Sequence, residues 1–291
     1  MRTFKIVLEQ AADLPIELYT KDDFEIIPMG YHLDDVAYLE DAQHSQMSLT
    51  DFYKAQREGS ISKTSQVTLP QFLETFDSLA KAGYDILHIS LASTLSGTYN
   101  SAVLAGREVM AIYPEATIIS IDSYSASMGI GILALEALRQ QQAGKSLKDV
   151  ADWLEKHKMY AMALFTVDDL NHLKRGGRIS ATNAAIGSLL SIKPLLTVSH
   201  DGTVIPIGKS RGRKTAQKKL VQEVLEAPYK PQDFTCFVGH CDSVDDAQAI
   251  KEMLEAEKVF KDVKIFEFGS VIGSHVGPGT IGVLFFGKNR Q

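Results

Sequence analysis

The sequence has few cysteines and no long apolar run. Only two of its 291 residues are cysteine, Cys236 and Cys241, and His240 lies between them. Two thiols and one imidazole lack the paired spacing of a zinc site, so we expect two free, buried cysteines. No apolar segment approaches the roughly 20 residues that a membrane-spanning helix needs. The apolar run near the N-terminus is strand-like rather than the core of a signal peptide, and we therefore expect a cytoplasmic protein.

The sequence also lacks an excess of basic residues. Its formal net charge is −6 and its pI is near 5.8, which disfavours a general nucleic-acid or membrane-surface binder. We find no internal repeat, low-complexity linker or disordered tail. With 45% hydrophobic and 23% charged residues, a chain of this length can form two hydrophobic cores, and we expect two domains.

The first half of the chain alternates strand-like apolar runs with helical patterns. Helix starts are indicated at Ser48, Thr68 and Ser146, whose side chains are of the type that caps helices. The alternation predicts an α/β domain with a parallel sheet over residues 1–158. The strand-like runs are FKIVLE, EIIPMGYHL at 25–33, YDILHISLA at 84–92 and ATIISIDS at 116–123.

The second half, residues 159–291, follows a different pattern. The stretch IKPLLTVSHDGTVIPIGKS contains two strand-like runs joined by a tight His-Asp-Gly turn, which predicts an antiparallel hairpin. Helices are predicted over 213–226 and 243–257, between the strand-like runs MYAMALFTV, FTCFVGHC, DVKIFEFG and IGVLFFGK. We therefore expect a second α/β domain, with a mixed sheet, and a ligand between the two domains.

Two polar turns precede helices in the N-terminal half. The stretch ISLASTLSGTYNSA contains Ser96, Gly97 and Thr98, and SKTSQVTLPQF contains Thr64 and Ser65. Hydroxyls and unpaired N–H groups at a helix start suit a small anion. In a doubly wound sheet such loops meet at the carboxyl edge of the strands, so together they predict one anion site. Ordinary helix capping is the alternative explanation for each turn.

Cations are concentrated in two segments of the second half. The stretch LKRGGRISATN contains Lys174, Arg175 and Arg178, and GKSRGRKTAQKK contains six cations, beginning with Lys209 and including Arg211. Neither segment interleaves aromatic residues, so phosphate is a better ligand than nucleic acid, and arginine binds phosphate oxygens in pairs. The alternative is that both segments are simply solvated.

One histidine, His275, falls in a glycine-rich stretch that we predict to be a loop between two strands. There it can donate to an anion or carry charge near neutral pH. A serine hydrolase is the strongest enzyme alternative, because GKSRG matches G-x-S-x-G around Ser210, and Asp242 and His275 follow in the required order. That motif needs a central parallel strand, whereas the strand here belongs to the predicted hairpin and contains Pro206.

Five separated blocks together resemble the DegV family. They are KTSQVT, LSGTYNSA, DSYSASMGIG, LKRGGRIS and SHVGPGTIGV, in the order of the family and spanning almost the whole chain. The resemblance implies two α/β domains with a long-chain fatty acid between them, its carboxylate at the domain boundary and its tail in a tunnel of the C-terminal domain. It also implies a role as the fatty-acid-binding subunit of a two-component fatty acid kinase, in which a separate protein phosphorylates the carboxylate with ATP.

The resemblance also implies roles for individual residues. Matched by motif, the hydroxyls of Thr64 and Ser96 and the backbone N–H of Gly97 would hold the carboxylate, with Ser65 and His275 beside them. The sequence contains no acceptable P-loop, kinase signature or metal cluster, so we expect no cofactor, no metal and no self-contained catalytic site, with the bound fatty acid as the ligand.

The same matching places Arg178 and Arg211 toward the kinase partner or the transferred phosphate. A lipid-sensing module without a kinase partner is the remaining alternative. The chain departs from the family at its first motif, Asp-Ser-x-x-Asp-Leu, where Glu9 and Gln10 replace Asp and Ser while Asp13 is kept. Glu9 can reach the same partners with a longer arm, so we expect a different hydrogen-bond geometry near the crevice.

Overall fold

The computed structural model describes residues 2–184 and 192–290. Its strands, in chain order, are β1 (Phe4–Glu9), β2 (Phe24–Ile27), β3 (Met29–Leu33), β4 (Val36–Glu40), β5 (Ser62–Thr64), β6 (Asp85–Ser90), β7 (Ile118–Asp122), β8 (Ala161–Thr166), β9 (Ile192–Val198), β10 (Val204–Arg211), β11 (Thr235–His240), β12 (Asp262–Glu267) and β13 (Ile281–Phe286). Its helices are α1 (Leu49–Arg57), α2 (Leu69–Lys81), α3 (Thr98–Ile112), α4 (Met128–Gln142), α5 (Leu147–His157), α6 (Asn171–Arg175), α7 (Ala181–Ala184), α8 (Arg213–Glu226), α9 (Val244–Ala256) and α10 (Ser270–Val276).

The N-terminal half contains a four-stranded parallel sheet of order β2-β1-β6-β7. The central strands β1 and β6 are buried along almost their whole length because helices pack against the sheet. The helix starts lie where the sequence predicts them: Ser48 accepts a hydrogen bond from the Asp51 N–H, and Thr68 forms a capping box with Gln71. The predicted parallel α/β architecture is confirmed.

Residues 25–33 form two strands rather than the single strand that their apolar pattern predicts. The strand β2 joins the parallel sheet, whereas β3 belongs to a three-stranded antiparallel sheet of order β4-β3-β5. Pro28 lies between them, and because proline has no N–H for a strand ladder, the chain changes sheet there. The small sheet brings Thr64 beside Tyr31, away from the parallel sheet.

The C-terminal half contains a six-stranded mixed sheet of order β10-β9-β8-β13-β11-β12. The strands β9 and β10 form the predicted antiparallel hairpin, while β11 and β12 are parallel. The helices α8 and α9 pack on this sheet, and α4 from the N-terminal half contacts β8 and β13. Cys236 and Cys241 are free and buried, as expected.

The two halves share buried apolar packing. One cluster of buried side chains joins Ile6 and Leu87 of the parallel sheet to Phe165 and Leu284 of the mixed sheet. A second cluster lies under α8 and α9. Within the described residues, no helix has the length and apolar character needed to cross a membrane. The chain passes from the parallel sheet to the mixed sheet between β7 and β8. The domain boundary after residue 158 lies in this interval and stays a prediction.

Candidate functional site

A cavity of about 250 Å³ lies between the carboxyl end of β6 and the mixed sheet. Its walls are mainly apolar and come from both halves of the chain. They include Leu91 and Leu95 from the segment after β6, and Phe165, Val198, Phe268 and Leu284 from the C-terminal half. The cavity is therefore suited to an apolar ligand.

The polar groups of the two predicted turns line this same cavity. Thr64, Ser65, Ser96, Gly97 and His275 are all among its lining residues. Ser65 is exposed and Thr64 is half-buried, so this polar group lies where the cavity meets solvent. The structure thus brings together hydroxyls that are about 30 positions apart with an imidazole from the far end of the chain.

The second turn presents a backbone donor toward the cavity. Gly97 immediately precedes α3, and no acceptor among the described residues pairs with its N–H. The Ser96 hydroxyl lies 2.9 Å from Thr98 Oγ1 and accepts from the Thr98 N–H at 3.3 Å. A Cβ at position 97 would meet the carboxamide of Gln66, so an exposed glutamine side chain would have to move to admit any larger residue. The turn therefore offers a hydroxyl and an N–H side by side.

The imidazole of His275 contacts the first turn directly. Its Nε2 lies 2.8 Å from Thr64 Oγ1, and its Nδ1 is buried with no partner among the described residues. Burial, followed by the nearby Arg178 guanidinium, lowers the pKa of His275 to about 4. Of the two roles considered for this histidine, the lowered pKa favours a neutral group that donates a hydrogen bond over one that carries charge near neutral pH.

His275 lies on a short helix, α10, rather than in the predicted loop between strands. Glycines at 273 and 277 suggested a loop, but two buried carboxylates bind the first N–H groups of this segment. Glu40 accepts from the Ser270 and Val271 N–H groups at 2.6 and 2.7 Å, and Asp13 accepts from the Gly269 N–H at 3.1 Å. The helix start is held by side chains that are more than 200 positions away in sequence.

Almost the whole chain matches one protein family. A sequence model described as "Uncharacterised protein, DegV family" matches residues 3–288. The chain belongs to the DegV family. It is 40% identical over 291 residues to a DegV domain-containing protein of Clostridium perfringens, and the alignment covers all of both chains. The resemblance seen in the five sequence blocks is confirmed.

The fold of this DegV protein is similar to solved structures whose names state fatty acid binding. A Thermotoga maritima protein with fatty acid binding function has a TM-score of 0.83 and 30% identity, covering 98% of this chain and 99% of its own. DegV, a fatty acid binding protein from Bacillus subtilis, has a TM-score of 0.83 and 28% identity, covering 99% of this chain and 100% of its own. These structural neighbours bind fatty acids.

The two arginines implied by the family motifs lie in different places. Arg178 lines the cavity, donates from Nε to the Leu95 carbonyl at 3.0 Å and from Nη1 to the Gly176 carbonyl. Burial lowers the pKa of Arg178, which still leaves a cation beside the polar turns. Arg211 lies at the exposed end of β10, outside the residues that line the cavity.

The cavity has further polar lining residues that the sequence reasoning did not single out. Gln66 lies in the KTSQVT block and donates from Nε2 to Ser101 Oγ at 3.0 Å. Ser127 has a left-handed φ of 54° and donates to Asp13 Oδ2 at 2.6 Å. Burial, and then Glu40, raise the pKa of Asp13 well above its usual value. Gln66 and Ser127 lie inside the blocks KTSQVT and DSYSASMGIG, and this position was the sequence signal that could have identified them as lining residues.

The residues of the hydrolase alternative are not assembled. Ser210 lies within the antiparallel strand β10, which is not the strand-to-helix turn that a nucleophile elbow requires. Asp242 accepts from Arg57 Nε at 2.5 Å and His275 pairs with Thr64. Across residues 2–184 and 192–290, no hydrogen bond joins any two of the three, and no group of three His, Cys, Asp or Glu could hold a metal ion.

Proposed function

We propose that this DegV protein binds one long-chain fatty acid and presents its carboxylate to a separate ATP-dependent fatty acid kinase. The observation that carries the proposal is the apolar cavity with hydroxyls, a backbone N–H and a neutral imidazole at the end that meets solvent. The fatty acids bound by its structural neighbours support the same ligand. The cavity would lie between the two predicted domains, residues 1–158 and 159–291, and the protein would act in the cytoplasm, where ATP is available.

The two ends of the ligand would make different contributions to binding. Burying about 15 methylene-type carbons at about 0.8 kcal/mol each contributes roughly 12 kcal/mol before costs. A hydrogen bond to the charged carboxylate adds about 1.5 to 3 kcal/mol. The tail therefore sets the affinity, and the polar turns set the orientation of the head group.

The head group would be held by Thr64, Ser96 and the Gly97 N–H, with Ser65 at the rim. Neutral His275 has one N–H, and when Nε2 donates it to Thr64 Oγ1, the Thr64 hydroxyl hydrogen is directed to the carboxylate. The supply of ATP and metal would fall to the kinase. Arg178 in the cavity and Arg211 on the surface would face that partner or the phosphate being transferred.

Alanine substitution of the two hydroxyl residues tests this proposal. With a purified bacterial fatty acid kinase, ATP, Mg²⁺ and palmitate, we expect Thr64→Ala and Ser96→Ala to reduce trapping of acyl phosphate by hydroxylamine about tenfold or more. Retention of palmitate should fall much less, because the tail is unchanged. Thr75→Ala is the matched control, since this hydroxyl donates to the Gln71 carbonyl on α2, away from the cavity.

Two results would contradict the proposal. Unchanged acyl phosphate formation in both variants would remove the assigned role of the hydroxyls. Unchanged formation in Arg178→Ala and Arg211→Ala would remove their role toward the kinase and favour a lipid-sensing module without a kinase partner. Labelling of Ser210 by a fluorophosphonate probe would instead support the hydrolase alternative.

A further inference from the structure

A fully buried polar network lies inside the parallel sheet, behind the Ser96 turn. Glu9, His88 and Ser90 have no measurable exposure. The Glu9 carboxylate accepts from Ser90 Oγ at 2.5 Å, and the same oxygen lies 3.0 Å from His88 Nε2. On its other side, His88 Nδ1 lies 3.2 Å from Ser120 Oγ. The network therefore connects β1, β6 and β7.

The second oxygen of Glu9 reaches the segment that leads to the head-group turn. Oε2 accepts from the Leu91 N–H at 3.3 Å, and Leu91 lines the cavity. Leu91 is the first residue after β6, five positions before Ser96. The carboxylate at the end of β1 thus binds the main chain at the point where it leaves the sheet toward the site.

The network is costly to bury, which argues that it has a role beyond packing. A charged or polar group in an apolar interior loses hydration, and apolar side chains of similar volume often give an equally stable or more stable core. Phe72 and Phe76 pack their rings edge-on against His88, so the surroundings are apolar. The three hydrogen bonds to Glu9 all come from β6 or the residue that follows it.

The geometry points to Glu9 as a positioning residue for the fatty-acid head group, an inference that rests on the proposed function. By accepting hydrogen bonds from Ser90 and from the Leu91 N–H, Glu9 fixes the start of the segment that leads to Ser96 and Gly97. The length of its side chain matters because aspartate is shorter by one carbon–carbon bond of about 1.5 Å. From the same backbone position, aspartate cannot keep both the His88 and the Leu91 contact.

Other hydrogen bonds hold this turn as well, so loss of the Glu9 contacts should shift it rather than unfold it. The Ala92 N–H donates to the Ser125 carbonyl at 2.9 Å. The Ser93 N–H donates to the Asp122 carboxylate at 3.3 Å. A displaced turn would weaken the hydrogen bonds to the carboxylate and leave the apolar contacts of the tail in place.

Comparison of two ligands with the same tail separates a positioning role from a purely structural one. Palmitate and hexadecanol differ only in the head group, and their Kd values can be measured by displacing an apolar fluorescent dye from delipidated protein. For Glu9→Asp we expect the Kd for palmitate to rise about tenfold and that for hexadecanol to change by less than about twofold. Glu25→Asp, at an exposed position on β2, is the matched control and should change neither value.

Each outcome has a distinct meaning. If Glu9→Asp changes both Kd values equally, or neither, the positioning role is overturned while the proposed function stands. If the wild-type protein binds neither ligand, the proposed function itself fails, and this inference with it.

Should Glu9→Asp fail to fold, Ser90→Ala removes one of the three bonds with little change in packing. A smaller loss confined to palmitate would then support the inference, and an equal effect on both ligands would overturn it.

Discussion

At the mouth of the cavity, the protonation state of His275 decides what the site can offer a carboxylate. Its imidazole pairs with Thr64 and lies near Arg178, and with a pKa of about 4 it is neutral at physiological pH. A neutral imidazole can orient the Thr64 hydroxyl without adding a fixed charge. Arg178 remains the only side chain among the described cavity-lining residues that carries a positive charge at neutral pH.

The depressed pKa of His275 predicts a specific pH dependence of stability. Because the folded pKa of about 4 lies below the ordinary value of about 6.5, the unfolded chain binds more protons between these values. Proton binding by His275 in the unfolded chain therefore lowers the free energy of unfolding as the pH falls from about 6.5 to about 4. Between pH 7 and pH 5, the free energy of unfolding of the delipidated wild-type protein should fall by about 2 kcal/mol more than that of His275→Asn. Urea unfolding at the two pH values measures both.

A matched control separates this effect from general acid destabilisation. His200 is exposed on the turn between β9 and β10, so His200→Asn should follow the wild-type pH profile. If His275→Asn and His200→Asn gave the same profile, His275 would not be held neutral by its surroundings.

At the scale of secondary structure, the helix α10 is the element that carries His275 to the site. Its first N–H groups are bound by Glu40, from the small antiparallel sheet, and the preceding Gly269 N–H by Asp13, from the segment after β1. Asp13 also accepts from Ser127, which lines the cavity. The position of the imidazole therefore depends on carboxylates from the other half of the chain.

Replacing Glu40 tests the contribution of these contacts. Glutamine is isosteric but uncharged, and because the Ser270 and Val271 N–H groups pair with different oxygens of Glu40, its NH2 group would replace the acceptor of one of them. We expect Glu40→Gln to lower the free energy of unfolding by about 2 kcal/mol, measured by urea titration. Glu58→Gln, at an exposed position after α1, should change it by less than about 0.5 kcal/mol. Equal values for the two variants would show that the carboxylate does not stabilise α10.

Element prediction from the sequence succeeds where the signal is local and fails where it is not. The caps at Ser48 and Thr68 act on N–H groups three residues away, so the start of each helix can be read directly. The break at Pro28 has a local cause, but the apolar run across it hides the change of sheet. The helix around His275 depends on Glu40, whose contact spans 230 positions and leaves no local pattern.

At the scale of the whole molecule, the site exists only where the two halves meet. Arg290 joins them near the C-terminus, donating from Nη1 to the Tyr124 carbonyl at 2.7 Å and to the Ser199 carbonyl at 3.0 Å. Burial lowers the pKa of Arg290 to about 10, so the guanidinium stays charged at neutral pH. These contacts, with the shared core, hold the polar turns of one half against the apolar walls of the other.

The sequence blocks identify which residues meet in the candidate site, but not how they meet. Thr64, Ser96 and Gly97 could be chosen because each lies in a hydroxyl-bearing turn before a helix. The contact between Thr64 and His275 spans 211 positions and could not be read from any window of sequence. The Glu9 network could likewise not be predicted without the register of β1 with β6, which brings the Glu9 carboxylate beside His88 and Ser90.

The most direct test of the central claim is native mass spectrometry of the protein purified from bacterial cells. We predict one bound fatty acid in each chain, released on denaturation and replaced when delipidated protein is incubated with palmitate or oleate. Protein that carries no lipid after purification and binds neither fatty acid afterwards would contradict the account.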